Sequence, residues 1–414
     1  MSNDCCGGSH KKMLLLEQAR QRIHDSIQPV SGVEQLPVRD ALHRVLAADV
    51  HSNLNVPAYD NSAMDGYAIQ GSDIPANGTI RLEMIATSWA GKPWSGTMQA
   101  GQTVRIMTGG KIPQGADTVI MQEDVETDEQ FIQIGHQHKP GQHLRKAGED
   151  IAKDAVVLPA GRRLLPADLG LLASVGATQI SVRRKLRVAF FSTGDELCSI
   201  GEHLDDGQIY DSNRYTLYGM LKRLDVEMID MGVIRDQRDL IRQAFQEASS
   251  IADVLITSGG VSVGEADFVK DTLEEMGQVD FWKVAIKPGK PLAFGKVQQA
   301  LFFGLPGNPV SAMATFYLFV QPALKWAMGQ TEVFVPRLKV KAAEKFKKHP
   351  GRLDFQRGIL RMEDGEAKVY STGGQGSGIL TSMSRANCFI VLPLESTGVE
   401  AGEWVEVEPF EGLL

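Results

Sequence analysis

From residue 186 to 304, short apolar, β-branched runs alternate with stretches in which apolar residues recur every three or four positions. The runs at 186–192, 226–234, 253–257, 279–286 and 301–304 read as strands. Between them, 213–224 carries Leu217, Met220, Leu221 and Leu224 on one face, and 237–249 carries Leu240, Ile241 and Phe245. Strand and helix alternating in this way predict a doubly wound, mostly parallel α/β sheet with helices on both faces. Ligands of such sheets collect in the crevice beyond the carboxyl ends of the strands.

The flanking patterns differ. Leu16, Ala19, Ile23 and Ile27 repeat at helical spacing until Pro29, and a second short helix fits 39–46. From about 50 to 146, short runs at 81–86, 118–122 and 131–134 sit between Gly, Pro and Asp clusters, the texture of a β-rich module. The helical segment 166–175 is expected to pack beside the first helix, which would make the β module an insertion into a split helical domain. The basic run Arg183, Arg184, Lys185 and Arg187 marks the next boundary, and beyond 335 the helical period gives way to runs at 337–342, 388–392 and 404–407. The expected domains are therefore a split helical domain (12–48 and 148–182), an inserted β-rich module (49–147), the α/β domain (183–331) and a small C-terminal β domain (332–414).

With 414 residues the chain exceeds one ordinary core, and two to four domains are expected. A charged fraction of 23% and a hydrophobic fraction of 43% fit a soluble globular protein. The net charge of −8 argues against nucleic acid or an anionic membrane as partner. Any anion site must therefore concentrate its lysines locally. Four scattered cysteines suit a reducing compartment, and the N-terminal apolar run is too short for a signal peptide, so a cytoplasmic location is expected. Cys5, Cys6 and His10 are metal-ligand types, but a terminal tail is the plainer reading.

Candidate chemistry concentrates between 252 and 311. Ser258, Gly259, Gly260, Ser262 and Gly264 form a Gly/Ser loop between a strand and a helix start, where free backbone N–H groups cradle anions; glycine loops also serve as plain turns. Three strands run into acid-bearing loops containing Asp195 and Glu196, Asp236, and Glu265 with Asp267. Carboxylates beside phosphate oxygens are the usual setting for magnesium, although Asp236 also fits a helix N-cap and the last two acids a helix first turn. Lys283 and Lys287 lie four positions apart, so on one strand they would face the same way about 13 Å apart. Apolar neighbours suggest that this strand is buried, where a bound anion is the natural partner of a lysine. Asn308 and Pro309 read as N-cap and first residue of an apolar helix at 310–320, ended by Gln321 and Pro322 and hence no membrane span.

At this point a resemblance is evident. DNSAMDGYA (60–68), RIMTGG (105–110), GED (148–150), FSTGDEL (191–197), SGGVSVGEAD (258–267), KPGKP (287–291), GLPGNPVS (304–311) and PGRLDFQRG (350–358) resemble segments of the molybdopterin molybdenumtransferases. This is the MoeA-type family that includes the gephyrin E domain, and the likeness runs in order over nearly the whole chain. It implies a four-domain homodimer that uses adenylylated molybdopterin and molybdate and gives molybdenum-loaded molybdopterin and AMP in a Mg2+-dependent step. It also implies molybdopterin adenylyltransferase as the upstream partner. By resemblance, Glu196, Asp236 and Asp267 are catalytic acids or magnesium ligands, and Lys283 and Lys287 contact phosphate or molybdate. The Gly/Ser loop would cradle the adenylate or pterin phosphate, with Pro306 and Pro309 shaping the loop beside it. Asp65, Thr108 and Asp150 are implied to complete the site from the other subunit. Ser377, in GGQGSG, matches a family position near the site less securely, and Arg352 and Arg357 are weaker candidates, expected to be solvated.

Two competing functions remain open at this stage. Adenylylation of molybdopterin uses a related α/β domain, but the flanking modules and GLPGNPVS belong to the metal-inserting branch. A non-catalytic pterin-binding or receptor-clustering scaffold is opposed by the intact acids and lysines. His136 and His138, with His143 nearby, could hold a metal on a strand, but a surface loop is the preferred reading.

Overall fold

The computed structural model describes residues 13–259 and 268–410. Two compact units are present: residues 35–182 form one, and the N-terminal 34 residues join residues 183–414 in the other.

In the larger unit, β1 (Arg187–Thr193), α1 (Ser212–Arg223), β2 (Glu227–Ile234), α2 (Arg238–Ile251), β3 (Val254–Ser258), α3 (Phe268–Met276), β4 (Gly277–Lys283), β5 (Pro291–Val297) and β6 (Ala300–Leu305) build one six-stranded sheet. Its order is β2-β1-β3-β6-β5-β4, with the first four strands parallel and the last two pairings antiparallel. The expected parallel sheet is thus present, and β5, which the sequence pattern did not reveal, turns its far edge antiparallel. Phe191, Phe245, Leu255, Leu273 and Phe302 fill the core on the face covered by α2 and α3. α1 and the helix α4 (Pro309–Thr315) pack against each other on the opposite face. Because β2 lies on one side of β1 and β3 on the other, the chain reverses direction at β1, and a crevice opens between the carboxyl ends of β1 and β3.

The C-terminal strands form a second six-stranded sheet, in which Leu353–Glu363 also pairs with Cys388–Leu392 to close a small barrel. One short helix, Leu380–Arg385, interrupts what sequence predicts to be all β.

Residues 35–182 hold a six-stranded, mostly antiparallel sheet around Tyr67, Ile69, Leu82, Ile120, Ile132 and Ile134. A second small core gathers Leu46, Leu158, Leu164, Leu172 and Val182 under the helix Pro166–Ser174. Two expectations fail here. The second short helix is only a 3-10 turn, Val38–Asp40. The first helix, Leu16–Asp25, does not belong with Pro166–Ser174; it packs in the other unit against Gln321–Ala327.

That misplacement has an identifiable cause. Residues after Thr315 do not stop at Pro322 as expected, but pass through a π-helical turn, Phe316–Val320, into Gln321–Ala327. Pro322 has no N–H to give to the carbonyl four residues earlier, Leu318. Arg20 of the first helix supplies the bond, its Nε donating to Leu318 O at 3.0 Å. Arg20 is buried, and its guanidinium lies 4.7 Å from the Phe334 ring centroid. Burial lowers its pKa, while Glu17 opposes the shift. A polar residue on the helix's apolar face, which periodicity discounts, thus decides where the helix docks. Arg20→Ala orphans the Leu318 carbonyl and is expected to cost about 1–3 kcal/mol, measured by urea unfolding.

Candidate functional site

The strand register gathers the predicted site segments of the larger unit along one edge of the sheet. β1 ends at Thr193 and runs into Gly194, Asp195 and Glu196; β3 ends at Ser258; β6 ends at Leu305 before Pro306. β4 runs parallel to β6, so Lys283 lies at the same edge, opposite Pro291 of β5.

Asp236 follows β2, and its backbone N–H donates to Asp195 Oδ1 at 3.1 Å. Burial pushes the Asp236 carboxyl above the usual aspartate range, and the charges of Asp195 and Glu196 push it further. Three carboxylates therefore converge on the loops beside β1. The N-cap role considered for Asp236 falls to Gln237, which makes no side-chain cap bond. Gly259 has φ +90°, and a Cβ there would lie 2.5 Å from the Thr193 carbonyl, so only glycine lets the ends of β1 and β3 come this close. Gly260, Ser262, Gly264, Glu265 and Asp267, the rest of the expected cradle and the third expected acid, lie outside the described residues.

Lys283 and Lys287 do not share a strand. β4 stops at Lys283, whose carbonyl accepts the Leu14 N–H at 2.9 Å. Ile286–Lys287 pairs instead with Leu353–Glu363 of the barrel. The buried residues Val284 to Ile286 carry the chain from one sheet to the other, Ala285 bonding Leu14 through its N–H and Leu353 through its carbonyl. Lys283 is exposed, whereas Lys287 lies 3.5 Å from the buried carboxylate of Asp354.

Pro306 is buried and Pro309 opens α4, as expected. Asn308 makes no side-chain cap bond; the Val310 N–H donates to the Ser377 carbonyl at 3.1 Å. Ser377 is thus held at the GLPGNPVS helix by its backbone. Gly289 of KPGKP, at φ +92°, packs where a Cβ would lie 2.6 Å from Thr315 Oγ1 of that helix. Arg357 is not solvated as expected: it is 1% exposed, with Nε donating to Ser382 Oγ at 3.0 Å and an Nη to Gly376 O at 3.1 Å. It braces the GGQGSG turn from inside the barrel. Sequence reading of isolated basic residues on β surfaces misses such a role because burial is a tertiary property.

Residues 35–182 hold a second group. Asp65 Oδ1 accepts the Thr108 N–H at 2.7 Å and its hydroxyl at 2.8 Å, which hold this carboxyl below the usual range. Gly109 N–H donates to Ser62 O, Ser62 N–H to Gly110 O, and Asp60 accepts both Ala147 N–H and Lys146 Nζ. The Asp150 N–H donates to Val56 O, which anchors the GED turn nearby. The DNSAMDGYA, RIMTGG and GED motifs are therefore neighbours in space.

Among the described residues no group of three His, Cys, Asp or Glu side chains forms a ready metal site. His138 is not on the surface as expected: it is buried, with Nδ1 beside Gln142 Nε2 at 3.1 Å. Cys198 is hydrogen-bonded to Glu202 Oε2, and burial raises its thiol pKa.

Comparison with known proteins matches this arrangement along its length. The family models for the MoeA N-terminal region (domain I and II), the probable molybdopterin binding domain and the MoeA C-terminal region (domain IV) match residues 14–176, 189–326 and 339–410. A Haemophilus influenzae molybdopterin molybdenumtransferase is 47% identical over 97% of this chain and 100% of its own length. The chain belongs to the molybdopterin molybdenumtransferase family, transferases of molybdenum cofactor biosynthesis. Family membership extends to a Dictyostelium discoideum gephyrin, 32% identical over 97% of this chain and 63% of that protein. The fold matches a molybdopterin biosynthesis moeA protein from Pyrococcus horikoshii, with a TM-score of 0.83, 30% identity, and coverage of 96% of this chain and 100% of that one.

The raised Asp236 carboxyl has a measurable consequence. Its folded pKa lies above the ordinary value of 3.8, so its contribution to stability is present in acid and is lost as pH rises from that value through the folded one. Asp236→Asn is expected to raise the melting temperature at pH 7, with the gain shrinking below pH 3.8. Melting curves across pH 3 to 8 check this.

Proposed function

We propose that this protein inserts molybdenum from molybdate into adenylylated molybdopterin with release of AMP, at the crevice beyond the carboxyl ends of β1, β3 and β6. The observation that carries this reading is the convergence of Asp195, Glu196 and Asp236 beside the Ser258 and Gly259 turn. Carboxylates alone would repel a phosphate, and burial together with the charges of Asp195 and Glu196 already raises the Asp236 carboxyl. That electrostatic state fits a divalent oxygen-loving cation, and Glu196 and Asp236, with Asp267, are the residues that would hold Mg2+. Bound there, Mg2+ would neutralise charge building up on the adenylate phosphate.

The protein's own groups act around this centre. Ser258 and Gly259 offer a hydroxyl and a backbone turn to the phosphate, while Lys283 and Lys287 supply positive charge for phosphate or molybdate. The Asp354 carboxylate holds Lys287 in place while that lysine awaits an anion. Asp65, fixed in its charged form by Thr108, with Asp150, forms the second half of the site, contributed by the partner subunit of a homodimer. Molybdopterin adenylyltransferase supplies the substrate. The buried free thiols Cys198 and Cys388 suit a cytoplasmic setting, and among the described residues no helix is long and apolar enough to cross a membrane.

AMP release from adenylylated molybdopterin, with and without molybdate, tests the reaction. Molybdate-dependent AMP release that activates a cofactor-free molybdoenzyme is expected. Pterin binding without AMP release would overturn the catalytic reading in favour of a scaffold, and ATP-dependent formation of the adenylylated pterin would favour the adenylyltransferase. The shared site has its own test: heterodimers of Asp65→Asn and Asp267→Asn protomers should recover activity that each homodimer lacks. Heterodimers as inactive as the parents would remove the sharing.

A further inference from the structure

Asn213 lies in none of the motifs that carry the family likeness, yet it links the ends of two strands, β3 and β6. It is 8% exposed, and its Nδ2 donates to Ser258 Oγ at 2.7 Å and to the Gly307 carbonyl at 2.7 Å. A carbonyl oxygen only accepts, so the nitrogen must face Gly307 and the orientation of the amide is settled. Its Oδ1 is buried without a hydrogen-bond partner among the described residues, which is unfavourable for an amide that serves packing alone.

The backbone fixes where this side chain stands. Asp211, 2% exposed, caps α1 by accepting the Arg214 N–H at 3.1 Å. The Asp211 N–H in turn donates to Cys198 O at 3.0 Å, and the Ile209 N–H to Glu196 O at 2.8 Å. The start of α1 is therefore tied to the acid loop that leaves β1. On the other side, hydrogen bonding between the ends of β3 and β6 reaches Gly259 N–H to Leu305 O at 3.2 Å. At that point Asn213 adds a side-chain cross-link, joining the hydroxyl that ends β3 to the loop after β6.

We propose that Asn213 is a positioning residue for the reaction. It clamps the Ser258 and Gly259 turn to the loop at 306–308, and so sets the spacing of the groups that face the adenylate phosphate, in register with the acid loop. This rests on the reading of the crevice as the site for adenylylated molybdopterin. Both donated bonds are needed, because each holds a different loop.

Asn213→Asp keeps the side chain's size, removes both donors and sets a carboxylate against the Gly307 carbonyl; Asn213→Ala removes the clamp without adding charge. In the full-length protein, both variants are expected to raise the KM for adenylylated molybdopterin at least tenfold while leaving the half-saturating molybdate concentration unchanged. Amide hydrogen exchange should quicken in peptides carrying Ser258 and Gly307 and stay unchanged in α2. Unchanged KM and exchange in either folded variant would overturn the proposal. So would equal losses in KM, molybdate dependence and α2 protection, the mark of general destabilisation. If the Asp variant does not fold, the Ala variant carries the test. Wild-type protein that releases no AMP would refute the activity while exchange still decides whether the clamp exists.

Discussion

The reversal of chain direction at β1 is the constraint on which the rest of this architecture depends. Parallel pairing of β1 with β2 on one side and β3 on the other leaves three strand ends without a connecting turn between them. Loops from separate parts of the chain must therefore fill the same space. The glycine at 259 permits that approach, since any side chain there would collide with the Thr193 carbonyl. The barrel domain enters the same neighbourhood by a different route, its Ser377 carbonyl accepting the Val310 N–H of α4 and its strand Leu353–Glu363 pairing with Ile286–Lys287.

Charge is distributed in a way that net composition hides. A chain of net charge −8 places Asp195, Glu196 and Asp236 together beside β1 and Lys283 at the same sheet edge. Burial and the neighbouring carboxylates both disfavour charge on Asp236 there. The Asp195 carboxylate is also held by the Asp236 backbone N–H, which keeps it close to the Asp236 residue.

Much of this was legible in the sequence because local patterns coincide with tertiary ones in parallel sheets. β1, β2, β3 and β6 read as buried apolar runs, and helices between them read by period. β5 was missed because PLAFGKV begins with proline and carries a glycine, both poor strand signals, and only its antiparallel neighbours stabilise it. The helix Leu16–Asp25 was recognised but assigned to the wrong neighbour, since amphipathic periodicity gives a buried face and not its partner. Lys283 and Lys287 were placed on one strand because nothing in WKVAIKPGKP marks the point at which the chain leaves the sheet. Within the candidate site, the acids and glycines announced themselves through type and spacing. Asn213 and Arg357 did not, because a single buried amide or guanidinium acquires meaning only from the loops it bridges.

The contact between Arg20 and Leu318 spans 298 residues of sequence. During synthesis the first helix is made long before the proline-interrupted helix whose carbonyl it satisfies, whereas residues 35–182 form a compact unit of their own that is complete in sequence once Val182 has been added. Domains generally fold as units in the order they emerge, and distant contacts wait for chain closure. The middle of this chain is thus free to fold first, and its beginning must remain undocked until nearly four-fifths of the polypeptide has been made.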